Sequence, residues 1–336
     1  MCSCAADSER AWFHASGRVH DTRPDFFWKA LADTMRGASR ADIPMSSKRR
    51  FMQLDVFSDQ PTKGNPLAVV IDADGLDDAS MRNFARWTNL SETTFLLPPS
   101  EPGADYRVRI FTPRQELPFA GHPSVGTAYA AIEAGWVQAG KTALVQQCAA
   151  GLLPVRVDGA GAARTIHVQA PPARTDHIDA SLRNALAQAL QHPLEDTQVR
   201  LVDNGPRWLI CRLHDAAQVR LLKPGLSAIA ALCVQHGSIG VCVFGREHGG
   251  DAAMAVRAFC PADNIPEDPV TGSANAAIMA FLVDSEDNPY GDSYRASQGR
   301  EVGYDGRVEV SRDPLTGSIH IGGRCVVLIR GEVELD

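Results

Sequence analysis

An internal repeat is the feature of this sequence that most constrains its fold. The segment Arg109-Ile-Phe-Thr-Pro113 matches Arg257-Ala-Phe-Cys-Pro261, and Leu117-Pro118 then matches Ile265-Pro266. Each copy reads as a strand, a loop, a polar residue with a proline, and a helix that contains glycine. A solenoid needs three or more stacked units, so two copies predict two similar domains.

The repeat continues into two predicted helices. After a length difference of two residues, His122-Pro-Ser-Val-Gly-Thr-Ala128 aligns with Asp268-Pro-Val-Thr-Gly-Ser-Ala274. The first helix is predicted over 123–135, because it opens with proline and ends at glycine, and the second over 270–284. Both are apolar nearly all round, which predicts that each is enclosed by other structure. Elsewhere, short runs rich in Val, Ile, Phe and Leu predict strands.

Composition excludes several classes of function. The chain has 336 residues, enough for about two domains. With 40 acidic and 33 basic residues, it offers no electrostatic reason to bind nucleic acid or an anionic membrane. No apolar run approaches the roughly 18 residues needed to span a bilayer. Scattered cysteines and no recognisable signal peptide predict reduced, buried thiols and a cytoplasmic location.

The first 50 residues differ from the rest. They carry mixed charges and little periodicity, and an abrupt strand pattern follows them. We expect residues 1–50 to be an extension, disordered or not native, with Met45 as the hypothetical native start.

The two helix starts predict an anion site. A helix N-terminus offers unpaired N–H groups and about half a positive charge. If the two domains pack about a pseudo-twofold axis, both N-termini face one cleft, where Gly121, Gly126, Gly272 and Ser273 would let a ligand approach the backbone. Such a cleft holds a small carboxylate without requiring a metal or a cofactor.

Three side chains are candidates for proton transfer. His122 and Asp268 occupy matched places in the repeat, and Glu92 lies between a turn signal and an apolar strand. A partly desolvated glutamate has a pKa raised toward neutrality, which suits a group that takes a proton from carbon and returns it. Structural explanations stay open: a helix cap for Ser91-Glu92, a core histidine for His122, and an N-cap for Asp268.

Several ordered motifs resemble the PhzF-like isomerase family of phenazine biosynthesis. They are Asp55-Val-Phe with Gly64-Asn-Pro-Leu-Ala-Val-Val70, then Asn89-Leu-Ser-Glu-Thr93, then Phe111 through Pro123, and finally Glu267-Asp-Pro-Val-Thr-Gly-Ser-Ala274. The resemblance runs from about residue 51 to the end of the chain.

This resemblance implies an α+β fold like that of diaminopimelate epimerase. Two pseudo-twofold-related domains would each wrap a mostly antiparallel β-barrel around a central helix. The implied domains are 51–165 and 166–324, with 325–336 crossing back to the first domain.

The resemblance also implies a function. Family members are cofactor-independent and usually homodimeric, and they isomerise trans-2,3-dihydro-3-hydroxyanthranilate. By motif, Glu92 would be the general acid/base, and Asp268 and His122 would assist it. The residues implied to bind the substrate are Ser91, Gly121, Gly272 and Ser273.

Two alternatives remain at this point. One is an epimerase or racemase of amino or hydroxy acids, with Glu92 and Asp268 on opposite faces of the substrate. The other is a non-catalytic protein that binds a carboxylate in the same cleft.

Overall fold

The computed structural model describes residues 47–138 and 140–336. The extension predicted over 1–50, with Met45, therefore lies outside the described residues, except that Ser47 already begins the first strand. No helix within the described ranges has the length and apolar character needed to cross a membrane.

The N-terminal half, residues 47–169, is mostly strand with two helices. Helix α1 (Asp78–Thr88) follows the second strand, and helix α2 (Gly121–Glu133) follows the fifth. The strands of this half are β1 (Ser47–Val56), β2 (Asn65–Val70), β3 (Glu92–Leu97), β4 (Tyr106–Phe111), β5 (Glu116–Leu117), β6 (Ala143–Cys148), β7 (Gly151–Asp158) and β8 (Thr165–Gln169).

The C-terminal half, residues 174–335, has the same plan with additional helices. Its helices are α3 (Ala180–Leu190), α4 (Ala216–Leu221), α5 (Leu226–His236) and α6 (Gly272–Asp284). Its strands are β9 (Arg174–Asp176), β10 (Val199–Asp203), β11 (Arg207–Asp215), β12 (Gly240–Arg246), β13 (Met254–Cys260), β14 (Ile265–Asp268), β15 (Ser293–Gln298), β16 (Gly306–Arg312), β17 (Ile319–Gly323) and β18 (Cys325–Leu335).

Strand pairing shows that the two halves are structural repeats. In the first half β2 lies parallel to β3, β3 antiparallel to β4, and β4 parallel to β6, followed by the antiparallel pairs β6–β7 and β7–β8. In the second half β11, β12, β13, β15, β16 and β17 pair in the same order and directions.

One strand of the second half crosses to the first half. The halves meet where β8 pairs antiparallel with β17. Strand β9 follows β8 along the chain but pairs with β10 of the second half, and β18 follows β17 but pairs with β1 of the first half. The first and last strands of the described chain therefore pair with each other. The boundaries 51–165 and 166–324 stay a prediction.

Helices α2 and α6 lie inside the repeats, as their apolar composition predicts. Positions 122–131 of α2 are buried, and a Cβ at Gly126 would stand 2.5 Å from the Leu67 side chain. Each helix begins two residues away from its predicted start, at Gly121 and at Gly272.

The expectation of only two helices was wrong. Helices α1, α3 and α4 begin after Asp77, Asp179 and Asp215, whose carboxylates accept hydrogen bonds from backbone N–H groups of the first turn. Such caps satisfy orphan donors and are a sequence signal for a helix start.

The register predicted for the repeat was also wrong. Ile110 and Ala258 are equivalent, since each follows the matched arginine of its half. Ile110 pairs with Leu117 and Ala258 pairs with Asp268, so Asp268 corresponds to Leu117. Five residues further along each copy, His122 corresponds to Ser273. His122 is the second residue of α2, whereas Asp268 ends β14, four residues before α6 begins.

Two ion pairs confirm the corrected register. The Arg109 guanidinium binds the Glu116 carboxylate through two hydrogen bonds of 2.7 Å. At the corresponding place in the second half, Arg257 binds Glu267 through bonds of 3.0 and 2.7 Å. The turn 261–263 accounts for the longer spacing in the second copy.

Candidate active site

Glu92 is the first residue of β3 and lies beside the start of helix α2. The Glu92 side chain is 16% exposed, and its Oε2 atom is buried without a hydrogen-bond partner among the described residues. Burial raises the pKa of Glu92 to about 7, and the Ser91 hydroxyl opposes that rise. Near neutral pH both protonation states of this carboxyl are therefore populated.

His122 faces Glu92 from helix α2. Its Nε2 lies 3.5 Å from Glu92 Oε2 and has no hydrogen-bond partner among the described residues. Burial lowers the pKa of His122 to about 4, although the charge of Asp268 acts in the opposite direction. At neutral pH the imidazole is thus uncharged, and the contact with Glu92 is not a salt bridge.

Asp268 approaches from the second half. Burial raises the pKa of Asp268 to about 6, the hydroxyl of Thr271 lowers it, and the negative charge of Glu92 raises it further. Gln298 fixes this segment, because its Nε2 donates to the Asp268 carbonyl at 3.1 Å and its Oε1 accepts from the Thr271 N–H at 3.0 Å. The fold thus brings together all three proton-transfer candidates.

The two glycines predicted at the helix starts lie against the same side chain. A Cβ at Gly121 or at Gly272 would stand 2.7 Å from Cδ1 of the same residue, Ile321 in β17. The Cβ position of Gly272 is also 3.7 Å from the backbone N of His122. Both helix N-termini therefore adjoin one small space, where their N–H groups favour an anion. Gly126 lies deeper in α2, against Leu67, and not at this opening.

The two predicted serines differ in their surroundings. Ser91 Oγ donates to Asn65 Oδ1 at 3.3 Å. Ser273 Oγ accepts a hydrogen bond of 3.2 Å from the Trp208 indole, which leaves its own proton free for a ligand. Sequence reasoning did not select Trp208 or Gln298, and it considered Asn65 only as part of the Gly-Asn-Pro turn.

The repeat places no second acid opposite Glu92. Phe111 and Phe259 are matched residues of the two halves, and they pair with Thr93 and Val241 respectively. The residues just before these two are Glu92, which pairs with Leu67, and Gly240, which pairs with Trp208. Gly240 is therefore the counterpart of Glu92. A Cβ there would lie 2.6 Å from the Trp208 ring and 2.8 Å from the Cys260 sulfur, so Trp208 fills that space.

The arrangement is suited to moving a proton on an anionic ligand. It combines a carboxyl that titrates near neutrality, a neutral imidazole, a second carboxyl and two helix N-termini. Within residues 47–138 and 140–336, no group of three or more His, Cys, Asp or Glu side chains is arranged to hold a metal ion.

Comparison with known proteins gives consistent matches over most of the chain. A family model described as phenazine biosynthesis-like protein matches residues 54–331. Antisense-enhancing sequence 1 of Schizosaccharomyces pombe is 35% identical over 294 residues, which cover 85% of this chain and 99% of that protein.

A second relative carries the name of an activity. The trans-2,3-dihydro-3-hydroxyanthranilate isomerase of Pseudomonas aeruginosa is 34% identical over 260 residues, 77% of this chain and 88% of that enzyme. A crystal structure of a PhzF-family phenazine biosynthesis protein from Bacillus anthracis superposes with a TM-score of 0.74 at 26% identity, covering 85% of this chain and 99% of that one. The predicted α+β fold class is thereby confirmed.

Proposed function

The chain belongs to the phenazine biosynthesis-like (PhzF) family, and we propose that it is a cofactor-independent isomerase that moves a proton between carbons of a small carboxylate. Glu92 is the general acid/base of this reaction. The observation that carries the proposal is the buried Glu92 carboxyl, whose pKa is about 7 and whose Oε2 lacks a partner among the described residues.

The reaction follows from the titration of Glu92. In its ionised form the carboxylate takes a proton from an acidic C–H of the substrate, and the resulting carboxylic acid returns the proton to another carbon. A group whose pKa lies near the operating pH serves both steps. Neutral His122 and Asp268 hold the polar substituents around the migrating proton.

The substrate carboxylate binds at the helix starts. The N-termini of α2 and α6 attract the carboxylate, Ser273 keeps its hydroxyl proton for it, and Ser91 lines the site while donating to Asn65. The substrate class is a small carboxylate similar to trans-2,3-dihydro-3-hydroxyanthranilate, the compound named for the Pseudomonas relative.

The asymmetry of the repeat argues against epimerisation by two equivalent bases. An enzyme that inverts a stereocentre with two bases needs one on each side of the substrate. The counterpart of Glu92 in the repeat is Gly240 beneath Trp208, so the opposing base of an epimerase would have to be Asp268. In the proposed isomerase, Glu92 alone removes and returns the proton, on one face of the substrate, and Asp268 holds a polar substituent.

Proton NMR in D₂O tests the proposal. The protein is incubated with trans-2,3-dihydro-3-hydroxyanthranilate and with a panel of cyclic and β-hydroxy amino acids. We expect deuterium at carbon together with migration of a double bond, and a rate about 10² to 10⁴ lower for Glu92→Gln. Glu332→Gln, which changes an exposed glutamate in the same way, is the matched control.

The other outcomes discriminate between the alternatives. Inversion of a stereocentre without double-bond migration identifies an epimerase. Carboxylate binding without any exchange of carbon-bound hydrogen identifies a binding protein. An undiminished rate for Glu92→Gln excludes Glu92 as the shuttle.

A further inference from the structure

The side chain of Gln298 organises a chain of hydrogen bonds that ends on Asp268. Gln298 is the last residue of β15 and is fully buried. Its Oε1 accepts from the Thr271 N–H and from Asn275 Nδ2, both at 3.0 Å. Its Nε2 donates to the Asp268 carbonyl at 3.1 Å and to Thr271 Oγ1 at 2.9 Å. The Thr271 hydroxyl in turn donates to Asp268 Oδ2.

The directions of these hydrogen bonds follow from the partners. A backbone N–H only donates and a backbone carbonyl only accepts, so the Gln298 oxygen faces Thr271 N and the NH₂ group faces the Asp268 carbonyl. The second amide proton then points at Thr271 Oγ1. Because this oxygen accepts from Gln298, the single proton of the hydroxyl is available for Asp268. Gln298 thus fixes Thr271 as a donor to the carboxylate.

The Thr271 hydroxyl is not used to cap its helix. Thr271 is the N-cap of α6, a position where a threonine hydroxyl commonly accepts from an N–H of the first turn. The Thr271 side chain makes no such bond. Its hydroxyl is bonded to Gln298 and Asp268 instead, so it is directed to the site and not to the helix end.

The first repeat lacks this chain at the matched positions. Helices α2 and α6 are both 13 residues long and start at matched glycines, and the pair β4–β6 matches β13–β15. The counterparts of Asp268, Thr271, Asn275 and Gln298 are therefore Leu117, Ala120, Ser124 and Cys148. Leucine and alanine have no polar side-chain atom to continue such a chain. Since the first repeat encloses its helix without the chain, the fold that both repeats share does not require it.

We propose that Gln298 is a positioning residue that directs the Thr271 hydroxyl onto Asp268, so that this carboxylate is held ionised and in one orientation as a hydrogen-bond acceptor for the substrate. This inference rests on the proposed function, in which Asp268 holds a polar substituent of the substrate. Gln298 contacts only the backbone of Asp268 and reaches the carboxylate through Thr271.

Other groups that act on Asp268 stay in place when Gln298 or Thr271 is changed. They are Glu92, His122, Glu267 and Cys260. The two glutamates raise the pKa of Asp268 and the histidine lowers it. The Thr271 hydroxyl also lowers this pKa, because it donates to the ionised carboxylate. Removing that hydroxyl therefore has an effect of known sign.

The variants change one link of the chain at a time. Thr271→Val removes the hydroxyl and keeps a side chain of similar shape, so the pKa of Asp268 should rise by about one to two pH units. Thr271→Ser keeps the hydroxyl and should keep the wild-type pKa. Gln298→Met removes the amide and lets the hydroxyl turn away from Asp268, so the pKa should rise by a smaller amount.

The measurement is an infrared titration of the whole protein. The carboxylic acid band of Asp268 is identified by its loss in Asp268→Asn and followed over a pH series in each variant. Gln147→Met is the matched control, because Gln147 is 6% exposed and binds both the N–H and the hydroxyl of Ser100 at 2.8 Å, as Gln298 binds those of Thr271. The control should leave the pKa of Asp268 at its wild-type value.

A double-mutant cycle separates the effect through Thr271 from loosened packing. The contact between Gln298 and the Asp268 carbonyl is lost in Gln298→Met whether or not Thr271 is changed, so it cancels in the cycle. Gln298→Met should therefore raise the Asp268 pKa clearly more in the wild-type background than in Thr271→Val. Equal rises in both backgrounds, or a Thr271→Ser variant that behaves like Thr271→Val, would overturn the proposal.

A measurement without a Gln298 variant covers the case in which Gln298→Met does not fold. In protein labelled with ¹⁵N-glutamine, the side-chain N–H signals of Gln298 should shift as Asp268 titrates, because one of these protons is bonded to the hydroxyl that donates to Asp268. The shift should fall strongly in Thr271→Val. Signals that do not respond to the titration, or respond equally without the hydroxyl, refute the role of Gln298.

The failure of this proposal differs from the failure of the proposed function. If Glu92→Gln keeps full activity, the shuttle fails, whatever the Asp268 titrations give. If Glu92→Gln is inactive but Thr271→Val leaves the pKa of Asp268 unchanged, the shuttle stands and the role of Gln298 is refuted. With an identified substrate, the loss of kcat/KM in Thr271→Val should be about tenfold near pH 6.5 and shrink toward about pH 9, where Asp268 is ionised again. A loss that does not vary with pH indicates a merely structural role.

Discussion

Replacing Glu92 with glutamine should stabilise the folded protein above neutral pH. The pKa of Glu92 rises from 4.5 to about 7 on folding because its carboxyl is buried. The unfolded chain therefore ionises this group at lower pH than the folded protein does. As pH rises from 4.5 through 7, wild-type stability falls, by about 3 kcal/mol at 1.36 kcal/mol per pH unit.

Glutamine has a similar shape and never ionises, so the variant avoids this loss. The stability advantage of Glu92→Gln should be near zero below pH 4.5, grow between pH 4.5 and 7, and stay constant above that range. The variant also removes the negative charge that raises the pKa of Asp268. Asp268 then ionises more easily in the folded protein, which adds to the stability advantage.

Urea unfolding at a series of pH values measures the difference. Glu309→Gln is the matched control with the opposite sign, because His167 and Arg295 lower the pKa of Glu309. That carboxylate stabilises the fold above its unfolded pKa, so Glu309→Gln should be less stable than wild type at pH 7, with a difference that shrinks as pH falls.

The reasoning fails if Glu92→Gln is less stable than wild type at pH 8. It also fails if the difference does not vary with pH, because the Glu92 carboxyl would then not be desolvated. Equal m values for the two proteins would show that the denatured states are comparable.

Three further predictions concern the pH profile and the packing of the two halves. With an identified substrate, kcat/KM should rise with pH through about 7, because Glu92 must be ionised to accept a proton; a flat pH–rate profile would contradict this. Arg257→Ala leaves its carboxylate partner, whose side chain is 7% exposed, without a cation and should cost about 3 to 5 kcal/mol in urea unfolding. The same change at Arg109, whose partner is 32% exposed, should cost clearly less. Gly322→Ala places a Cβ 2.2 Å from a backbone carbonyl and should lower the urea midpoint strongly, whereas Gly331→Ala meets nothing within 4 Å and should change it little.

Local sequence was sufficient to predict the two enclosed helices and the residues that gather around them. Helices α2 and α6 are apolar on every side, and only a fold that encloses them satisfies such a pattern. Glu92 was recognisable because a carboxylate beside an apolar strand has to be paired, protonated or functional. Its contact with His122, at 3.5 Å, depends on strand pairing that a sequence does not display.

The error in the repeat register has a specific cause. Leu-Pro and Ile-Pro match by residue type, but the turn 261–263 lengthens the second copy between β13 and β14. The correspondence that holds in three dimensions is between Arg109–Glu116 and Arg257–Glu267, an ion pair across a strand turn. Similarity of short segments does not report which arginine reaches which carboxylate.

The site depends on what the repeats share and on where they differ. Both helices begin with glycine, and both glycines pack against the single side chain of Ile321, on the strand where the halves pair. This shared feature brings the two N-termini together, and the proposed carboxylate site lies there.

The two repeats differ at the position of the proposed acid/base. At one position the first half has Glu92, and the second half has Gly240 with Trp208 in the space that a side chain would need. Because β18 pairs with β1 and β17 pairs with β8, the two positions are held within one pairing network. A side chain at 240 would stand 2.6 Å from the Phe259 carbonyl oxygen as well as 2.6 Å from the Trp208 ring, so the second half cannot supply an acid equivalent to Glu92 by a change at 240 alone.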